Sequence, residues 1–443
     1  MLAEYPIRGR RAVDISASVE RAVGAGELRP GQLLPPMREL AERLGVNPNT
    51  VAAAYRMLRE RGVIETAGRR GSRVRPAPAT TGRDHIRVDV PEGVRDVASG
   101  NPDRALLPPL AAAFAAAAAT GDQAPVLYGD DPLEPELARL ARAGLDADGV
   151  PDGPLAVVSG ALDGVERVLV AHLKPGDTVG VEDPGWGSAL DLVPALGLRT
   201  VPVGLDDEGP RPDDVRRALR AGARALIVTG RAQNPTGAAV SATRARALRA
   251  VLREHPETLL IEDDHGHGIV DVPLHPLAGA TRNWAFVRSV AKAYGPDLRL
   301  ALLTGDDVTV DRVRGRQRLG PGWVSRLTQR ALVRLWADGA VDTRAVAAAY
   351  GRRRDALIGG LDRRGVAAHG RSGMNVWVPV PDETGAVARL LHAGWAVAPG
   401  ARFRMSSPPG VRVTVSTLAE EETEALADAI ASALGPAPVR SYV

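Results

Sequence analysis

From residue 155 to residue 305 the chain alternates short apolar runs with helical stretches. The runs are "PLAVVSG", "DTVGVEDPG", "ARALIVTG", "TLLIEDDHG", "WAFVRSV" and "LALLTGD", each ending in small or polar residues. Continuous apolar runs of strand length between helices predict strands buried on both faces, hence an α/β domain around a mostly parallel sheet. In such sheets ligands sit beyond the strands' carboxyl ends. The first 75 residues keep a different rhythm. "PMRELAERL" places Leu40 and Leu44 on one helical face, and Gly45 ends that helix. Asn47 suits an N-cap and Pro48 the first helical position, so a second helix should run from Pro48 to about Arg61 and bury Val51, Ala54, Tyr55 and Leu58. "GVIET" and the end of "AGRRGSRVRP" then read as a two-stranded hairpin.

Helix, tight turn and helix make a helix-turn-helix unit, which offers the start of its second helix to base edges in the major groove. Here that start carries Asn47, Asn49 and Thr50, and the hairpin tip carries Arg69 and Arg70, placed for phosphates or the minor groove. The expected organisation is a DNA-binding domain over 1–75, a Pro/Gly/Thr-rich linker over 76–94, and a body over 95–443. Within the body a large part spans about 145–330 and a small part about 331–443.

Charge divides the same way. Residues 1–75 carry 14 arginines and eight acidic residues, a balance of +6; the remaining 42 basic and 45 acidic residues give −3. A basic head on a slightly acidic body points to double-stranded DNA as a partner. The absence of cysteine excludes disulfides, thiolate catalysis and cysteine-ligated metals. "MLAEYPIRGRR" lacks the apolar core of a signal peptide, and Leu110–Thr120, "LAAAFAAAAAT", is about half a membrane span. A cytoplasmic protein with no membrane partner is expected.

Among 56 basic residues only Lys174 and Lys292 are lysines. Arginine does not lose its proton in proteins, whereas a lysine amine can, and can then attack a carbonyl. Lys174 lies in the turn "HLKPGD" and reads as a solvated charge, which leaves Lys292, after "WAFVRSV", as the candidate nucleophile. The other strand ends supply matching chemistry. Ser159, Gly160 and Ala161 open a helix whose amides can hold an anion; the pattern is not GxGxxG, so a dinucleotide fold is not supported. Trp186 offers a stacking surface, Asn234 an amide in the turn "NPTG", and "EDDHGH" a set of carboxylates. Ser289 and Arg299 flank the lysine. An amine, an anion cradle, an aromatic platform, a carboxylate and an amide together suit pyridoxal 5′-phosphate. Glu262, Asp263, Asp264, His265 and His267 could instead ligate a divalent metal, but that reading leaves Lys292 and the anion cradle unexplained, and no metal is expected.

"GELRPGQLLPPMRELAERLGVNPNTVAAAYRMLRERGVIET", with its glycine-bounded wing, resembles the winged-helix domain of GntR-type bacterial regulators. That resemblance implies DNA contacts for Arg38, Asn47, Asn49, Thr50, Arg69, Arg70 and Gly71. The order and spacing of the body's motifs resemble fold-type I aminotransferases, and the two together resemble the MocR subfamily of GntR regulators. The resemblance implies Lys292 as the Schiff-base lysine, Asp263 as partner of the pyridine nitrogen, Asn234 at the ring hydroxyl and Trp186 stacked on the ring. It implies Ser159, Gly160, Ala161, Ser289 and Arg299 around the phosphate, Tyr128 reaching the phosphate of a partner subunit in a homodimer, and Arg412 receiving a ligand's carboxylate. His265 stands where the family usually has tyrosine, from where an imidazole could still bond the ring hydroxyl, and Ala291 stands where a serine is common. The expected function is a pyridoxal-phosphate-dependent transcriptional regulator that senses an amine, an amino acid or the cofactor itself. The alternatives are a working aminotransferase that carries a DNA-binding head, and a head on a cofactor-free scaffold.

Overall fold

Three helices pack into the head: α1 (Ala12–Gly24), α2 (Met37–Leu44) and α3 (Pro48–Glu60). Pro36 precedes α2 as its cap, and Gly45 closes it at φ +62° in the left-handed region, where a residue without a Cβ is unstrained. Asn47 Oδ1 accepts the Asn49 amide at 2.9 Å and so caps α3. Val51, Ala54, Tyr55 and Leu58 of α3 are all buried, with Leu40, Ile15, Val19, Ile64 and Val74 around them. Each fully buried aliphatic or aromatic side chain there contributes roughly 1.5–3 kcal/mol. The hairpin pairs β1 (Ile64–Thr66) with β2 (Ser72–Val74) in antiparallel register. The structure is a computed structural model that describes residues 7–24, 27–29, 31–60, 63–66, 71–74, 83, 86, 88–119 and 126–434; Arg69 and Arg70 lie outside these.

Two compact units divide the chain: Met1–Gly82 with Leu173–Val179 and Asp191–Thr200, and Arg83–His172 with Gly180–Leu190 and Val201–Val443. The body's strands are β3 (Arg95–Asp96), β4 (Leu155–Val158), β5 (Thr178–Asp183), β6 (Arg199–Asp206), β7 (Gly209–Pro210), β8 (Ala223–Thr229), β9 (Leu259–Asp264), β10 (Trp284–Ser289), β11 (Ala301–Gly305), β12 (Asn375–Pro379), β13 (Trp395–Ala396), β14 (Ala398–Pro399) and β15 (Gly410–Thr414). An eight-stranded sheet has the order β4-β11-β10-β9-β8-β5-β6-β7, and a small sheet has the order β12-β15-β14. Strands β8, β9 and β10 run parallel at the centre and are almost wholly buried, as their unbroken apolar runs require.

Strand β11 runs antiparallel to both β10 and β4. The connection from Ser289 to Ala301 explains it: a parallel return needs a crossover of a dozen or more residues, usually with a full helix. Here the link holds only the four-residue helix Ala291–Tyr294 and a 3-10 turn at Pro296–Leu298. The carboxyl ends of β4, β5, β8, β9 and β10 lead into Ser159, Trp186, Asn234, His265 and Lys292 respectively. Among the described residues, no helix is long and apolar enough to cross a membrane.

Candidate functional site

Lys292 sits on the short helix after β10, and its Nζ donates to the Gly100 carbonyl at 2.9 Å. It lines a cavity of about 350 Å³ with Gly160, Ala161, Trp186, Asn234, His265, Ser289, Arg299 and Arg412. Burial pushes the amine down to about 8, the nearby Arg412 cation adds to that, and Asp263 opposes it. About a tenth of the amine is therefore neutral and nucleophilic at pH 7.

One end of the cavity is built for an anion. Ser159 to Ala161 lead from β4 into the Ala161–His172 helix, with the Ser159 amide held by the Asp163 carboxylate at 2.8 Å. Arg299, at φ +46°, donates to the Ser159 carbonyl at 2.9 Å and lines the same end. Ser159 itself is not among the lining residues; its part is to hold Arg299. Ser188, on the helix after Trp186, also faces the cavity; a single serine in "GWGSA" carries no local signal that sets it apart. Met374 and Asn375 of the small part also line it, a contribution that no local pattern announces.

At the other end Arg412 of β15 is buried, its guanidinium 4.7 Å from the centre of the Phe403 ring. Its Nη1 donates to Asn234 Oδ1 at 3.1 Å and its Nη2 to the Ala98 carbonyl, while Nε has no partner among the described residues. Burial and the Arg402 cation both push its proton affinity down. A second cavity of about 470 Å³ shares Gly100, Trp186, Asn234, Lys292 and Arg412 with the first and adds Val88, Val90 and Arg402.

Asp263 lines a small crevice together with Trp186, Glu182 and Thr229. Its Oδ2 is 2.7 Å from His265 Nδ1, and its buried Oδ1 has no partner among the described residues. His265 Nε2 meets the Ala232 carbonyl at 2.7 Å. Both ring nitrogens are thus engaged within the chain, which differs from the expected bond to a ring hydroxyl. The reason is proximity: two residues beyond Asp263, the imidazole meets that carboxylate first. Glu182 accepts from the Thr229 amide, the Thr229 hydroxyl and the Gln233 amide; burial raises it to about 7, against those three bonds.

The acidic residues weighed as metal ligands are largely committed to partners within the chain. Among the described residues Asp148, Asp264 and His267 alone approach as a possible ligand group. Asp264 already pairs with Arg231 and Arg288, and Asp148 with the same two arginines. Glu262 spends both oxygens on the Leu277 and Ala278 amides. Two guanidiniums at the carboxylates make this an ion-pair network. Tyr128 is 94 % exposed, edge-on to Trp323 at 5.6 Å, and outside the cavity of its own chain. In the head, Arg38, Asn47, Asn49 and Gly71 are exposed and Thr50 is half-buried.

Residues 93–430 match the family of class I and II aminotransferases, and residues 11–74 match the gntR family of bacterial regulatory proteins. The chain is 40% identical over 434 residues to the vitamin B6 salvage pathway transcriptional repressor PtsJ of Salmonella typhimurium, covering 97% of this chain and 99% of that protein. It is 29% identical to the pyridoxine biosynthesis transcriptional regulator PdxR of Corynebacterium glutamicum, covering 78% of each. Aspartate aminotransferase from Thermus thermophilus, solved with maleate, superposes with a TM-score of 0.67 at 28% identity, over 77% of this chain and 92% of that one.

Proposed function

We propose, on the premise that the chain belongs to the class I and II aminotransferase family and carries a GntR-family head, that its body senses a small amine through pyridoxal 5′-phosphate. It is a DNA-binding transcriptional regulator of the MocR type, since relatives with the same pairing of domains are named as regulators of vitamin B6 genes. The residues present fit the cofactor. The carrying observation is Asp263 Oδ1, a buried carboxylate oxygen without a partner among the described residues, in a crevice it shares with Trp186 and within electrostatic reach of Lys292. A ring N–H donor is what such an oxygen lacks.

When bound, the cofactor supplies an aldehyde for a Schiff base and a ring that withdraws electrons. Lys292 is the residue to hold that aldehyde, its amine kept partly neutral by burial and Arg412. Gly160, Ala161, Ser188, Ser289 and Arg299 would hold the phosphate, Trp186 would stack on the ring, and the Asn234 amide NH₂ would donate to the ring hydroxyl. Arg412 would orient a ligand's carboxylate, a bidentate task for which guanidinium is shaped. The effector class is an amine or amino acid, or the cofactor itself. The exposed Tyr128 supports a homodimer in which this side chain serves the neighbouring site. Asn47, Asn49, Thr50 and Arg38 would contact operator DNA, with Arg69, Arg70 and Gly71 at the wing.

A pyridoxal phosphate titration tests the reading. The purified protein should gain a visible absorption band that borohydride fixes as added mass and that Lys292→Ala abolishes. Its affinity for operator DNA should change when the cofactor is present. A protein that stays colourless and gains no mass would overturn it. The second reading, an aminotransferase with a DNA-binding head, draws on Arg412 as a carboxylate site; keto-acid release from an amino donor would favour it.

A further inference from the structure

His265 Nε2 lies 2.7 Å from the Ala232 carbonyl, an acceptor with no proton to give. The hydrogen in that bond therefore belongs to Nε2. Nδ1 lies 2.7 Å from Asp263 Oδ2, so a second proton must lie between ring and carboxylate. The two short contacts thus place one shared proton in a pair with no net charge, an imidazolium–carboxylate pair when that proton rests on the ring. Burial alone would strip the ring of that proton; Asp263 overrides burial, and the balance is upward. Lys292 is the cation that works against it, and Glu182 is the other acid facing Asp263.

The chain holds this arrangement at a conformational cost. Ala232, a non-glycine residue, sits at φ +53°, in the left-handed region that costs about 1–2 kcal/mol. Its amide is fixed by Ser372 Oγ at 2.8 Å, which donates in turn to the Gly237 carbonyl at 3.1 Å. Strain held by the surrounding structure beside a candidate site is a sign of function.

We propose that His265 is a positioning residue for the cofactor's ring nitrogen: paired with Asp263 Oδ2, it reserves Oδ1 for that nitrogen and presents it with a neutral pair in place of a lone anion. This rests on the cofactor reading above and deepens it. A pyridine nitrogen facing a neutral pair is less readily protonated than one facing a carboxylate, so the ring withdraws electrons less strongly. Such a site favours keeping a bound amine over converting it, which is what a sensor needs.

Two measurements decide it, and the first needs no cofactor. In the apo protein, ¹⁵N resonances of His265 should show both ring nitrogens protonated through neutral pH; a neutral ring at pH 7 overturns the proposal. The second uses pyridoxal 5′-phosphate labelled with ¹⁵N at the ring nitrogen, bound to wild type and to His265→Gln, which can keep a donor but carries no charge. The ring nitrogen should lose its proton about one pH unit lower in wild type than in the variant. Coincident titrations would overturn the role of His265 while leaving the cofactor site standing. A wild-type protein that binds no labelled cofactor would overturn both. Should His265→Gln fail to fold, the apo measurement still decides.

Discussion

Gly160 stands at φ +100°, and a Cβ added there would come within 2.9 Å of an Arg299 guanidinium nitrogen. Gly160→Ala should therefore displace Arg299 from the Ser159 carbonyl and strain the backbone by about 1–3 kcal/mol. The expected result is weaker retention of pyridoxal phosphate, about tenfold for a loss of 1.4 kcal/mol, read by dialysis and absorbance. Lys292 gives a second expectation at this scale. With its amine lowered to about 8, the rate of cofactor capture should rise with pH through 8 and level off above it, in stopped-flow absorbance. A profile still rising into the ordinary lysine range would show that the amine is not depressed. Residues such as Lys292 and Arg299 were legible because their type and place are chemically restrictive. Ala232 was not: nothing in "RAQNPTG" announces a left-handed alanine, because long-range bonds to Ser372 hold it. Nor did the sequence announce that Asp263 would capture His265, since a two-residue offset at a strand end does not fix a side chain's direction.

Helix α3 shows what one cap contributes to an element. Asn47→Ala removes the acceptor of the Asn49 amide, and such losses cost about 1 kcal/mol. In a head this small that is a large share of its stability, so the head should melt earlier while the cofactor band of the body stays unchanged. Operator affinity should fall with it, because the residues at the start of α3 depend on that turn. Unaltered head melting would mean that the cap is not needed. The elements of the head were legible almost to the residue, since proline, asparagine and glycine mark its turns by local chemistry. The body's strands were legible as apolar runs. Their order was not, because β4 beside β11, or β5 beside β8, is fixed by packing between segments far apart in sequence. The antiparallel β11 could have been anticipated from the shortness of the link around Lys292.

A regulator must carry news of a ligand along the chain to its head, and the segment entering the body is placed to do so. Ile86, Val88 and Val90 line the second cavity, beside Lys292, Trp186 and Arg412. Arg83, just before them, donates at 2.9 Å to the carbonyls of both Ala401 and Arg404. The same loop carries Arg402, which lines that cavity, and Phe403, which underlies Arg412. Its far end is clasped by Asp183, which accepts the amides of Met405, Ser406 and Ser407 and both serine hydroxyls. A ligand that shifts Arg402 or Arg412 thus acts on a loop anchored at one end and tied through Arg83 to the segment leading back to the head. Linkage requires that the cofactor's effect on DNA affinity equal the DNA's effect on cofactor affinity, and couplings of this kind usually amount to 1–3 kcal/mol. Arg83→Ala should leave the visible band intact and the DNA affinity of the cofactor-free protein within about twofold, well below one such coupling. The ratio of DNA affinities with and without pyridoxal phosphate should collapse toward one. A variant that keeps the wild-type ratio would show that the signal leaves the body by another route.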